Sequence, residues 1–132
     1  RRQRQMCIRD RIEIEDNFIE QGIEVIPLKI KHRDWDIFGY RINNFAYITD
    51  CSLIPDETFN SLYDLDLLIL DSLRYSAHEA HLSVDQAVEI SNKIKPKRTV
   101  LTHMSSELKY QDLVSYLPKN IVPGFDGMSI KI

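Results

Sequence analysis

Two carboxylates and an imidazole stand at the ends of three apolar runs in this 132-residue chain. Phe45-Ala46-Tyr47-Ile48-Thr49 ends on Asp50, Leu67-Leu68-Ile69-Leu70 on Asp71, and Thr99-Val100-Leu101-Thr102 on His103. Short runs of β-branched and aromatic residues read as buried strands. In an α/β sheet the site lies beyond the carboxyl ends of such strands. The three side chains are therefore expected on one rim. Imidazole and carboxylate suit Zn²⁺, Mn²⁺ or Fe²⁺. The pattern points to a metal-dependent or acid–base hydrolase. The alternative from another class is a non-catalytic α/β binding or interaction module, with these residues serving only as turns.

The elements that must position them can be read in order. Ile23 to His32 alternates as a strand. Phe38–Ile42 and Phe45–Thr49 form a hairpin around Asn43-Asn44, a pair that tolerates φ > 0. Pro55–Leu62 suits a short helix with Pro in its first turn. Leu67–Leu70 is a strand. Ser83 and Gln86 make a capping-box pattern for a helix lined by Ala87, Ile90 and Ile94, and Pro96 stops it. Thr99–Thr102 is a strand, followed by a helix near Gln111–Leu117. Ile121–Phe125 and Met128–Ile132 read as a closing hairpin around Asp126-Gly127. The order implies an α/β or mixed sandwich.

Composition narrows the class. Hydrophobic residues make up 43% of the chain and charged ones 28%, which is ordinary for one globular domain. No stretch has the length and apolarity of a membrane span, and no secretory signal pattern stands out. Cys7 and Cys51 form neither a CxxC pair nor a disulfide framework, which fits a reducing cytoplasm. Residues 1–11, RRQRQMCIRDR, hold five of the 17 basic groups and one of the 20 acidic groups, or +4. Residues 12–132 keep 12 basic and 19 acidic groups, or −7. So acidic a body is a poor nucleic-acid surface. The basic head reads as an RNA-binding arm, as a disordered terminus, or as translated sequencing-adapter read-through that displaces the true N-terminal part. The last reading divides the chain into a non-native tail, 1–11, and a partial domain, 12–132.

The segments HRDWDIFGYRI, FAYITDCSLIP, LLILDSLRYSAHEAHLSVDQAVEI, KPKRTVLTHMS and PGFDGM occur in the order seen in metallo-β-lactamase-fold hydrolases. The branch the chain resembles is that of the cyclic ribosyl-phosphate phosphodiesterase of phosphonate breakdown, with tRNase Z a more distant relative. The resemblance covers residues 23–132. It implies the carboxyl-terminal part of a four-layer αββα sandwich, in the α/β class. It also implies two divalent metal ions, Zn or Mn, in the complete protein. His32, six residues before Phe38-Gly39-Tyr40, resembles a metal-binding histidine. Asp50 resembles the carboxylate that bridges two metals, and His103 the last histidine ligand. His81, in His81-Leu82-Ser83, resembles the catalytic histidine over the scissile phosphate, and Asp71 its acidic partner. The family's HxHxDH signature is absent and is expected upstream, so the fragment alone is expected to be inactive. The implied substrate is a small, cyclic phosphodiester, and a homodimer is compatible with the pattern. A tRNase Z-type nuclease is a second alternative, which would need a basic exosite.

The implied chemistry is coherent. Two ions about 3.5–4 Å apart share a hydroxide, neutralise the phosphate and lower the pKa of bound water toward 7. The alkoxide leaving group then needs a proton. A histidine titrating near about 6.5 can supply it if a carboxylate fixes its tautomer. Simpler roles stand beside each residue. Asp50 and Asp71 could end strands in Asx-turns. His103 could be a satisfied strand-end histidine, and His32 a solvated one. His78 could replace His81 as the base or lie idle in a loop. Cys51 reads as a small buried thiol rather than a soft ligand. Trp35 and Tyr75 read as aromatic packing and Asp126 as a turn residue.

Overall fold

The structure is a computed structural model that describes residues 13–132; the basic head, 1–11, lies outside the described residues. Among the described residues, seven strands form one sheet in sequential order. They are β1 (Phe18–Glu20), β2 (Ile23–His32), β3 (Trp35–Ile42), β4 (Phe45–Ile48), β5 (Leu67–Asp71), β6 (Arg98–Thr102) and β7 (Ile121–Pro123). The strands β1 to β4 are antiparallel neighbours, whereas β4 to β7 are parallel. Strands β2, β4, β5 and β6 therefore all run toward the same rim. Parallel neighbours need crossovers. A 3₁₀ helix (Asp56–Ser61) lies between β4 and β5, α1 (Val84–Ile94) between β5 and β6, and α2 (Tyr110–Tyr116) between β6 and β7.

Local chemistry explains the elements. Ile42 pairs with Phe45 across a two-residue Asn43-Asn44 turn, with Asn43 at φ 51°. Asn is among the side chains that tolerate this left-handed conformation. The capping box of α1 is present: Ser83 Oγ accepts the N–H of Gln86 at 3.2 Å, and the Gln86 side chain accepts the N–H of Ser83 at 2.9 Å. Lys95 closes α1 in the left-handed region, just before Pro96. Strand β1 was not expected. It is three residues long, joined to β2 through Gln21-Gly22, and too short to carry a period.

Cross-strand partners share a face. Leu28, Ile30, Ala46, Ile48, Leu68, Leu70 and Leu101 belong to one buried cluster with Val84 and Ala87 of α1 and Leu113 of α2. The opposite face is apolar too. Tyr40, Tyr47, Ile69, Val100 and Val122 pair in succession across β3 to β7. Of these, Val100 is buried, Tyr40, Ile69 and Val122 are half-buried, and Tyr47 is exposed.

The expected closing hairpin is wrong. Strand β7 runs parallel to β6, and Met128–Ile132 forms no strand. The turn itself is right: Met128 N–H donates to Phe125 O at 3.0 Å, with Gly127 at φ 83°. It sends the chain over the second face instead. Met128 and Ile130 line a cleft of about 470 Å³ together with Tyr47, Ile69 and Val100. No helix among the described residues is long and apolar enough to cross a membrane.

Candidate metal centre

The carboxyl ends of the parallel strands bring the predicted residues to one rim. Asp50 follows β4, Asp71 ends β5 and His103 follows β6. Asp50 and His103 both hold left-handed backbones, at φ 54° and 60°. This region is uncommon outside glycine, and such conformations gather at functional sites. Asp50 Oδ1 lies 3.3 Å from His103 Nε2.

Asp71 ties three segments together from a fully buried position. Its Oδ1 accepts the backbone N–H of Asp50 at 3.0 Å and faces His81 Nδ1 at 3.3 Å. Its Oδ2 accepts the N–H of Leu82 at 3.0 Å. Burial pushes the Asp71 carboxyl above the usual carboxylate range, against the opposing pull of the Leu82 N–H, His81 and His103. The three donors use both oxygens and leave the group no exposed edge.

The imidazoles stand in a row. The ring centroid of His81 is 4.7 Å from that of His103, in a stacked arrangement, and 5.0 Å from that of His32, edge to face. His32 ends β2 and donates from Nδ1 to Ala80 O at 3.1 Å. A carbonyl only accepts, so the Nε2 lone pair of His32 stays free. Histidines that bind metal commonly anchor their other nitrogen in this way. Cys51, beside Asp50, is fully buried, and burial and the charge of Asp71 push its thiol up to about 12. A thiol held so firmly protonated is a poor ligand.

One ligand atom from each of Asp50, Asp71, His81 and His103 lies within 4.8 Å of the others. Carboxylate oxygen and imidazole nitrogen suit borderline divalent ions. Asp50 and His103, half-exposed or exposed at the rim, fit a metal best. His32 lies outside this group of four but joins it through the ring of His81. Sequence reasoning did not single out Ala80 or Leu82, whose backbone groups orient His32 and Asp71. Their side chains carry no signal of it.

Comparisons with known proteins agree with this fold. The family profile of the beta-lactamase superfamily domain matches residues 2–104. The crystal structure of a new diphosphatase from the PhnP family superposes with a TM-score of 0.87 at 36% identity, over 89% of this chain and 46% of that one. Human tRNase Z, short form, superposes at 0.67 with 23% identity, over 87% of this chain and 46% of that one. The octanoyltransferase of Porphyromonas gingivalis (strain ATCC BAA-308 / W83) is 33% identical over 108 residues, which are 80% of this chain and 22% of that protein. The chain therefore spans about half the length of these solved relatives and about a fifth of the curated one. The profile match over most of the chain settles the family: the chain belongs to the beta-lactamase superfamily.

Proposed function

We propose that the chain carries the proton-donor side, and part of the metal-binding side, of a metal-dependent phosphodiesterase. Asp50, His103 and His32 would hold divalent metal, with further ligands expected from an upstream HxHxDH segment of the complete protein. Bound divalent ions would supply charge neutralisation and a water of lowered pKa. The remaining work belongs to side chains on this rim. His81 protonates the leaving oxygen of a small phosphodiester, the cyclic ribosyl-phosphate type being the substrate we favour. Asp71 fixes the proton of His81 on Nδ1 in its neutral form, and stabilises the charged ring before it gives up a proton from Nε2.

The observation that carries this reading is the Asp71–His81 pair, 3.3 Å apart, beside the Asp50–His103 pair, also 3.3 Å apart. A non-catalytic module would give the Asp71–His81 pair no role beyond holding backbone N–H groups. A buried carboxylate is costly without a task for its charge. The net charge of −7 over residues 12–132 favours a small substrate over RNA. The relative solved as a diphosphatase supports a second reading, cleavage of a phosphoanhydride. The name octanoyltransferase belongs to a protein of which only 22% is matched, and acyl transfer is not proposed.

Leaving groups separate these readings. An alkoxide needs a proton to depart, whereas a nitrophenolate or a phosphate leaves with little help. In the full-length, metal-loaded protein, His81→Ala should cut turnover of an alkyl phosphodiester by roughly 10²–10⁴-fold. Turnover of bis(p-nitrophenyl) phosphate should fall far less. Equal losses on both substrates would remove His81 from the acid role. Hydrolysis of diphosphates but not of phosphodiesters would establish the second reading.

A further inference from the structure

His78 is not used in the reading above. It is half-buried, and its ring centroid lies 5.3 Å from that of His81, tilted by 40°. Its Nδ1 accepts the backbone N–H of Ala80 at 3.1 Å. A backbone N–H can only donate, so this nitrogen carries the lone pair. The neutral ring therefore holds its proton on Nε2. Ala80 acts on His32 in the opposite sense, because its carbonyl accepts from His32 Nδ1 at 3.1 Å. One residue thus sets two imidazoles to opposite tautomers. His32 is left with a free Nε2 lone pair, which suits a metal. His78 is left with an Nε2–H, which cannot ligate a metal but can donate a hydrogen bond.

The loop that bears His78 is held at several points. Its ends are joined by the N–H of Leu73 on Leu82 O at 2.9 Å and the N–H of Val84 on Arg74 O at 3.0 Å. Inside it, the Arg74 guanidinium donates to Ser76 O at 3.3 Å and Ala77 O at 2.8 Å. Glu79 of the same loop also pairs with Arg33 at 3.1 Å. A donor fixed in this way needs little ordering when a ligand arrives. Its neighbour His81 is the residue assigned to the leaving oxygen.

We propose that His78 is a substrate-binding residue whose Nε2–H holds a non-bridging phosphoryl oxygen while His81 serves the leaving oxygen. This rests on the phosphoryl-transfer reading of the site. No covalent step is assigned to His78; it contributes one hydrogen bond to an anionic oxygen.

The test uses the full-length protein loaded with Mn²⁺, with inorganic phosphate as the probe in titration calorimetry. Hydrolysis of bis(p-nitrophenyl) phosphate is followed separately. His78→Ala should weaken phosphate binding by about 10- to 100-fold, the range expected for a hydrogen bond to a charged group. KM should rise more than kcat falls. His78→Gln, which keeps an N–H near the position of Nε2, should recover most of the loss, and the shorter His78→Asn should not. Where His78→Ala fails to fold, the Gln and Asn variants carry the comparison. Nitrogen-15 spectra should place the proton of His78 on Nε2.

Unchanged phosphate affinity in His78→Ala, a proton on Nδ1, or no phosphate binding by the wild type would each overturn the proposal. Wild-type protein that binds phosphate in a His78-dependent way but hydrolyses no diester would support it and sink the phosphodiesterase reading instead. Hydrolysis that persists with His78-independent binding does the reverse.

Discussion

Asp71 holds His81 by Nδ1 at 3.3 Å and does so from a fully buried position. The same carboxylate accepts the N–H groups of Asp50 and Leu82, so its loss is felt by three segments. Asp71→Ala should destabilise the fold by roughly 1–3 kcal/mol, because buried donors are left without an acceptor. Asp71→Asn should cost less. It keeps one acceptor and sheds a charge that burial disfavours. Both variants should retain metal while losing turnover of alkyl phosphodiesters. Urea denaturation with metal analysis checks this ranking. A variant that loses metal and activity in proportion would make Asp71 a ligand rather than the orienting group of His81.

Metal removal should separate the two halves of the site. Asp50→Ala and His103→Ala remove half-exposed or exposed rim side chains and should lower bound metal in the full-length protein. His81→Ala should leave metal content nearly unchanged. A metal that binds only the folded state raises the melting temperature by mass action. Chelation should therefore lower the melting temperature of wild type and of His81→Ala, but lower that of Asp50→Ala much less. Equal sensitivity of all three to chelation would place the metal elsewhere.

Much of this site was legible because its chemistry sits where strands end. Asp50, Asp71 and His103 each close an apolar run, and the parallel strands β4 to β6 carry those ends to one rim. The Ser83–Gln86 box announced α1 for the same local reason. The closing hairpin was misread because Asp126-Gly127 marks a turn without saying whether sheet follows it. The parallel placement of β7 against β6 is a long-range fact that no local pattern encodes. The role of Ala80 was illegible because it acts through its backbone.

Cys51 should resist alkylation. It is fully buried, and its thiol is pushed up to about 12 by burial and by the charge of Asp71. Since the thiolate is the reactive form, iodoacetamide at pH 8 should leave Cys51 unmodified in folded protein and modify it in urea. Peptide mass spectrometry distinguishes it from Cys7. The same shift has a stability consequence. The folded state keeps a proton that the unfolded state releases near its ordinary value of 9.0. Stability relative to Cys51→Ala is therefore fully present below pH 9 and falls as pH rises toward 12, by about 1.4 kcal/mol per pH unit. Rapid labelling of folded protein at pH 8 would show that the thiol is open.

The second face of the sheet predicts how the 132-residue chain behaves alone. Tyr40, Tyr47, Ile69 and Val122 pair across the strands, yet they are half-buried or exposed. Strands apolar on both faces normally have cover on both. Met128 and Ile130 line part of this face, beside Val100. A four-layer sandwich in the complete protein would cover the rest with a second sheet. The isolated chain should therefore self-associate through this strip, since contiguous apolar surface of this kind marks interaction or aggregation sites. Tyr47→Lys places a charge at its exposed centre. Sedimentation should show a lower average mass for the variant, whereas its unfolding midpoint should move little, within the ~0.5 kcal/mol typical of surface changes. A chain that sediments as a monomer before any substitution, or an unchanged mass in Tyr47→Lys, would show that this strip is not the adhesive face.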